Sequence, residues 1–117
     1  MLFVEYPKCS TCRKAKKWLD DQGLAHEDRH IVKDNPSADE LKAWQAASGL
    51  PVRRFFNTSD MLYREMQLSK KLPEMTETQM FDLLATNGML VKRPILVSDD
   101  TVLVGFREAD WESALLK

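Results

Sequence analysis

Two cysteines, Cys9 and Cys12, stand three positions apart in Cys9-Ser10-Thr11-Cys12, and the chain has no others. Leu2–Tyr6 before them reads as a strand. Ser10–Gln22 after them reads as a helix, with Gly23 as its stop. A thiol pair at a strand-to-helix junction restricts the fold more than any other feature here. A helix N-terminus leaves N–H groups unpaired and presents the positive end of the macrodipole, which favours a thiolate. The thiolate is the reactive form of cysteine. Cys9, ahead of the helix, is the expected nucleophile, and Cys12, one turn further in, the expected resolving thiol. Lys8 and Arg13 flank the pair with positive charge that favours the thiolate, so Arg13 joins the candidate substrate-binding residues.

The remaining elements follow from caps and breakers. Ala25–Ile31 reads as a polar strand. Ser37 with Glu40 makes a capping box for a helix carrying Leu41, Trp44 and Ala47 and stopping at Gly49. Pro51 opens a helical turn through Phe56, and Thr58-Ser59-Asp60 caps another over Met61–Met66. Thr76 with Gln79 forms a second capping box for a helix to about Thr86. Pro94–Val97 and Thr101–Val104 form a hairpin, and Glu108–Leu116 is a final helix. A βαβ opening and a ββα finish predict an α/β, thioredoxin-like fold, with residues 32–90 a helical insertion between its halves. The 117 residues are expected to form one domain.

Composition narrows the function. A net charge of −1 argues against binding nucleic acid or anionic membrane through a general basic field, though it leaves room for a local anion site. No stretch approaches the ~18 apolar residues of a membrane helix, and the N-terminus does not read as a signal segment. A cytoplasmic protein is expected. Thiols are mostly reduced there, so the pair is read as redox-active rather than as a structural disulfide.

The spacing Cys9-x2-Cys12-x13-His26-x3-His30 falls within a zinc-finger range. A finger needs its histidines on one helix face, whereas these follow Gly23 on a strand, ~13 Å apart at ~3.3 Å per residue. No metal is expected, and His26 and His30 are read as solvated. Arg93-Pro94 is the second informative spot, because an X-Pro bond takes the cis form at modest cost. Pro94 opens the strand that faces the cysteine loop in a thioredoxin-like order, so a cis Pro94 places Arg93 beside Cys9 to hold an oxyanion or the thiolate. Arg107, at the start of the last helix, is a further candidate. Arg53, Arg54 and Arg64 are read as solvated surface, as are Lys14, Lys16 and Lys17. Lys70-Lys71 is placed in a polar loop. Trp18, Trp44, Phe55, Phe56 and Phe81 are read as core.

Four stretches carry a family resemblance: Tyr6-Pro7-Lys8-Cys9-Ser10-Thr11-Cys12-Arg13-Lys14-Ala15; Phe56-Asn57-Thr58-Ser59 with Tyr63-Arg64-Glu65; Val91-Lys92-Arg93-Pro94-Ile95; and Val104-Gly105-Phe106. With these the chain resembles the arsenate reductase-like thioredoxin-fold family that contains ArsC, Spx, MgsR and YffB. The resemblance implies that Cys9 sits where a cysteine attacks arsenate and Arg93 where an arginine binds the oxyanion. It also implies departures. Glu5 replaces a histidine, Asn57 replaces a second oxyanion arginine, and a third falls near Gly105 or Arg107. Each lost charge-assisted contact weakens oxyanion binding by roughly 1.5–3 kcal/mol. Cys12 matches the Spx-type pair. The implied activity is a thiol–disulfide oxidoreductase that reduces arsenate or a related substrate. It binds no cofactor and is recharged by thioredoxin, glutaredoxin or glutathione. The alternative is an Spx-like redox-sensing regulator that binds the RNA polymerase alpha subunit. A plain binding domain with idle cysteines is a third reading.

Overall fold

A computed structural model describes residues 1–116. Four strands, β1 (Leu2–Glu5), β2 (Glu27–His30), β3 (Ile95–Ser98) and β4 (Thr101–Val104), form one sheet in the order β2-β1-β3-β4. β1 pairs parallel with β2 and antiparallel with β3, and β3 pairs antiparallel with β4. The helix α1 (Ser10–Asp21) makes the crossover from β1 to β2. Between β2 and β3 the chain is helical: α2 (Ala38–Ser48), α3 (Met61–Glu65), α4 (Leu68–Lys71) and α5 (Glu77–Leu84), with short 3-10 turns between them. A final helix, α6 (Glu108–Leu115), closes the chain. This is the thioredoxin-like arrangement with its helical insertion. Lys70 and Lys71 are exposed as expected, but they lie in α4 and not in a loop.

Strand alternation divides the core into two. Phe3 and Leu96 pack with Ala15, Trp18 and Leu19 of α1 and Trp111 of α6 on one face. Their neighbours Val4 and Ile95 point the other way, into Leu41, Trp44, Phe55, Phe56, Phe81 and Leu84 of the insertion. All five aromatic residues read as core are buried. Each such side chain contributes on the order of 1.5–3 kcal/mol by leaving water. The buried positions of α1 (Cys12, Ala15, Trp18, Leu19) follow helical spacing, which is why the helix lies on the sheet with Cys12 inward.

The insertion is tied to the sheet at specific points. Both capping boxes form, Ser37 with Glu40 and Thr76 with Gln79. Glu40 does double work: Arg29 of β2 donates to its two carboxylate oxygens at 2.6 and 2.9 Å. That pairing holds the Glu40 carboxyl down at about 2, and Trp44 lies under the guanidinium at 5.8 Å. Further along, Lys92 N–H donates to Phe55 O and Asn57 N–H to Leu90 O, each at 2.7 Å, stitching residues 55–57 to 90–92.

Gly88 marks a backbone crossing. A Cβ there would stand 2.1 Å from the carbonyl oxygen of Ile31 and 3.0 Å from Val32 Cα, and both obstacles are main chain. Gly88→Ala is therefore expected to destabilise the fold by about 1–3 kcal/mol, the scale of forced overpacking. Urea denaturation reads this directly, and an unchanged midpoint would mean that the crossing has room.

The histidines depart from their sequence reading. His26 is not solvated: its side chain is 8% exposed, with ring nitrogens 2.9 Å from Asp20 Oδ1 and 2.5 Å from Asp28 Oδ1, and its ring meets Phe3 edge-on. His30 is half-buried, and its Nδ1 accepts from the N–H groups of Val32 and Lys33. The end of α1 folds back over β2, and local chain geometry alone does not reveal that cover.

Candidate active site

Cys9 occupies the N-cap position of α1, in extended conformation, with its N–H donating to Tyr6 O at 2.9 Å. It is half-buried and Cys12 is buried, and both thiols are free. Their environments pull them apart. Burial alone would raise the Cys9 thiol. The backbone N–H and thiol of Cys12, together with the Arg93 guanidinium, outweigh that burial and hold Cys9 below the ordinary thiol value. Cys12 is pushed up to about 12, first by burial and then by the thiol and charge of Cys9 beside it.

The Arg93–Pro94 peptide bond is cis, and Arg93 lies against Cys9. The guanidinium carbon sits 4.9 Å from the centre of the Tyr6 ring, a cation–π contact. Nε and Nη1 of Arg93 are buried and have no hydrogen-bond partner among the described residues. A buried, unmatched cationic donor is costly unless a charged acceptor arrives to meet it.

Cys9 and Arg93 open into a cavity of about 460 Å³. One wall comes from the sheet half: Thr11, Lys92, Val104, Gly105, Phe106 and Arg107 complete it with Cys9 and Arg93. The other comes from the insertion: Arg54, Asn57, Ser59 and Asp60. Gly105 has φ +74°, a conformation that favours glycine, and the end of the Lys92 side chain passes over it. The size lies in the range of a small-molecule site.

The structure thus brings Cys9, Arg93 and Arg107 into one cavity. Arg13 is exposed and does not line it, because one position past Cys12 the helix has rotated the side chain off the buried face. Arg54, read as plain surface, is exposed but forms part of the cavity wall. Ser59 and Asp60 were read only as caps. Nothing in local sequence sets them opposite Cys9. The stitching of residues 55–57 to 90–92 does so. No group of three or more His, Cys, Asp or Glu side chains among the described residues is placed to hold a metal ion. No helix among them is long and apolar enough to cross a membrane.

Residues 4–114 match the ArsC family. An ArsC family related protein from Bacteroides fragilis superposes with a TM-score of 0.94 at 57% identity, over 96% of this chain and 94% of that one. The uncharacterized protein YusI of Bacillus subtilis is 49% identical over 96% of this chain and 95% of its own length. The regulatory protein MgsR of the same organism is 27% identical over 94% of this chain and 86% of its own. The match runs through the cysteine loop, the insertion and the cis-proline strand alike: the chain belongs to the ArsC family.

Proposed function

We propose that the chain is a thiol–disulfide oxidoreductase in which Cys9 attacks the substrate and Cys12 resolves the adduct. The observation that carries this reading is the divergence of the two thiols. One is half-exposed, favoured as thiolate and faces a cationic cavity. The other is buried, held protonated and adjacent. Arg93 holds the anionic group of the substrate, and arsenate is a candidate oxyanion. Thioredoxin, glutaredoxin or glutathione restores the thiols in the cytoplasm, where such a pair stays reduced.

The test is the alkylation rate of Cys9 against pH, with and without arsenate. The wild-type midpoint should lie below the ~8.5 of a free thiol. Arg93→Ala should move it upward, and arsenate should protect the wild type more than the variant. A midpoint at the free-thiol value would remove the basis for the nucleophile. A low midpoint without protection would retain the thiol chemistry and exclude arsenate. A second reading is a redox-sensing regulator that binds the RNA polymerase alpha subunit; the likeness to MgsR, a regulatory protein, supports its regulatory part alone. Its signature is retention of that subunit by one redox form of the chain only.

A further inference from the structure

Arg93 is the cation set against Cys9, yet no acidic side chain holds it there. Among the described residues, no carboxylate lies within ion-pair distance of it. Its Nε and Nη1 are buried without a hydrogen-bond partner. An arginine side chain has several free torsions, and keeping it in one pose costs conformational entropy that a contact has to offset. The contact that meets this need is the ring of Tyr6, whose centre lies 4.9 Å from the guanidinium carbon.

Tyr6 stands three positions before Cys9 and does not itself line the Cys9 cavity. Its side chain packs with Val4, two positions earlier, on the face of β1 that meets the insertion. The ring is fixed from the side: His30 meets it edge-on, with centres 5.6 Å apart and planes at 90°. His30 is pinned in turn, because its Nδ1 accepts from the N–H groups of Val32 and Lys33. The main chain of Tyr6 reaches the nucleophile as well, its carbonyl accepting from Cys9 N–H at 2.9 Å. One residue thus fixes both the backbone that carries the sulfur and the cation beside it.

The choice of a ring has a chemical reason. A carboxylate in its place would hold the guanidinium more firmly. It would also neutralise it, and Cys9 would lose the charge that favours its thiolate. An aromatic face attracts a cation through its quadrupole and carries no net charge. We infer that Tyr6 is a positioning residue: its ring holds the Arg93 guanidinium against Cys9 and leaves the positive charge whole for the sulfur and for the anionic group of the substrate. The inference rests on the oxidoreductase reading and adds the residue that sets its cation in place.

The test is the rate of alkylation by iodoacetamide against pH on the reduced protein, with the adduct located on Cys9 by mass. Tyr6→Leu removes the aromatic face and should raise the midpoint by about half a unit or more, the scale of a desolvated cation–π contact. Tyr6→Phe keeps the face and should restore the wild-type midpoint. In an Arg93→Ala background, Tyr6→Leu should move the midpoint no further. A trifluorinated phenylalanine at position 6 keeps the size of the ring and drains negative charge from its face. It should shift the midpoint as Tyr6→Leu does, and it carries the test if the leucine variant fails to fold. A low wild-type midpoint that neither leucine nor the fluorinated ring moves overturns the positioning role alone. So does a shift of equal size with Arg93 absent. A wild-type midpoint at the free-thiol value overturns the oxidoreductase reading and this role with it.

Discussion

Cys9→Ser is expected to lower substrate reduction by at least about 10³-fold, the scale seen when a covalent nucleophile is removed. Cys12→Ser should fail differently. Cys9 would still attack, and the protein would accumulate with one substrate half bonded to it, visible as a mass increase on Cys9. The two thiols are ordered by their environments. Burial and the neighbouring Cys9 hold the Cys12 thiol protonated well above the ordinary thiol range, so Cys9 is the thiol available for the first attack. Part of what holds Cys12 protonated is the thiol and charge of Cys9. Once Cys9 is bonded to substrate, that part is gone, and Cys12 becomes easier to ionise when its turn comes. If the Cys12→Ser protein turns over at the wild-type rate with no adduct, Cys12 is not the resolving thiol.

Trp111→Ala should cost about 3–5 kcal/mol, the range for removing a large buried aromatic. Trp111 is 1% exposed. Its ring meets Phe3, Trp18 and Phe106 edge-on, Phe106 at 4.9 Å. Its Nε1 donates to Gly105 O at 3.1 Å, inside the core. The indole therefore anchors the segment that carries Gly105, Phe106 and Arg107 into the cavity. Trp111→Phe keeps most of the volume and leaves the Gly105 carbonyl without its donor, a smaller loss of about 1–3 kcal/mol. Denaturation midpoints separate the two variants. Equal losses would show that packing matters less here than the hydrogen bond.

The sheet half of the site was legible because short-range signals encode it. The cysteine loop follows a strand and opens a helix, and Arg93-Pro94 opens the next strand, so element order alone places them together. The insertion half was legible only at Asn57, and there only through the family resemblance. Arg54, Asn57, Ser59 and Asp60 reach the cavity through pairing of residues 55–57 with 90–92, a contact between segments more than thirty positions apart. Local reading also took His26 for a solvated residue, because cover from Phe3 and the end of α1 leaves no periodic trace. Arg13 was overrated for the opposite reason. Nearness in sequence to Cys12 suggested nearness in space, and one residue of helical rotation removed it.

The cavity wall has two authors. The reactive sulfur and its cation belong to the segments around residues 9 and 93, and the facing wall to residues 54–60. Those stretches share no side chain, so they can diverge separately. Transplanting residues 50–66 from one relative into another should exchange what enters the cavity while leaving the nucleophile as it was. In this chain the thiol pair and the wall that faces it are carried by different pieces of sequence.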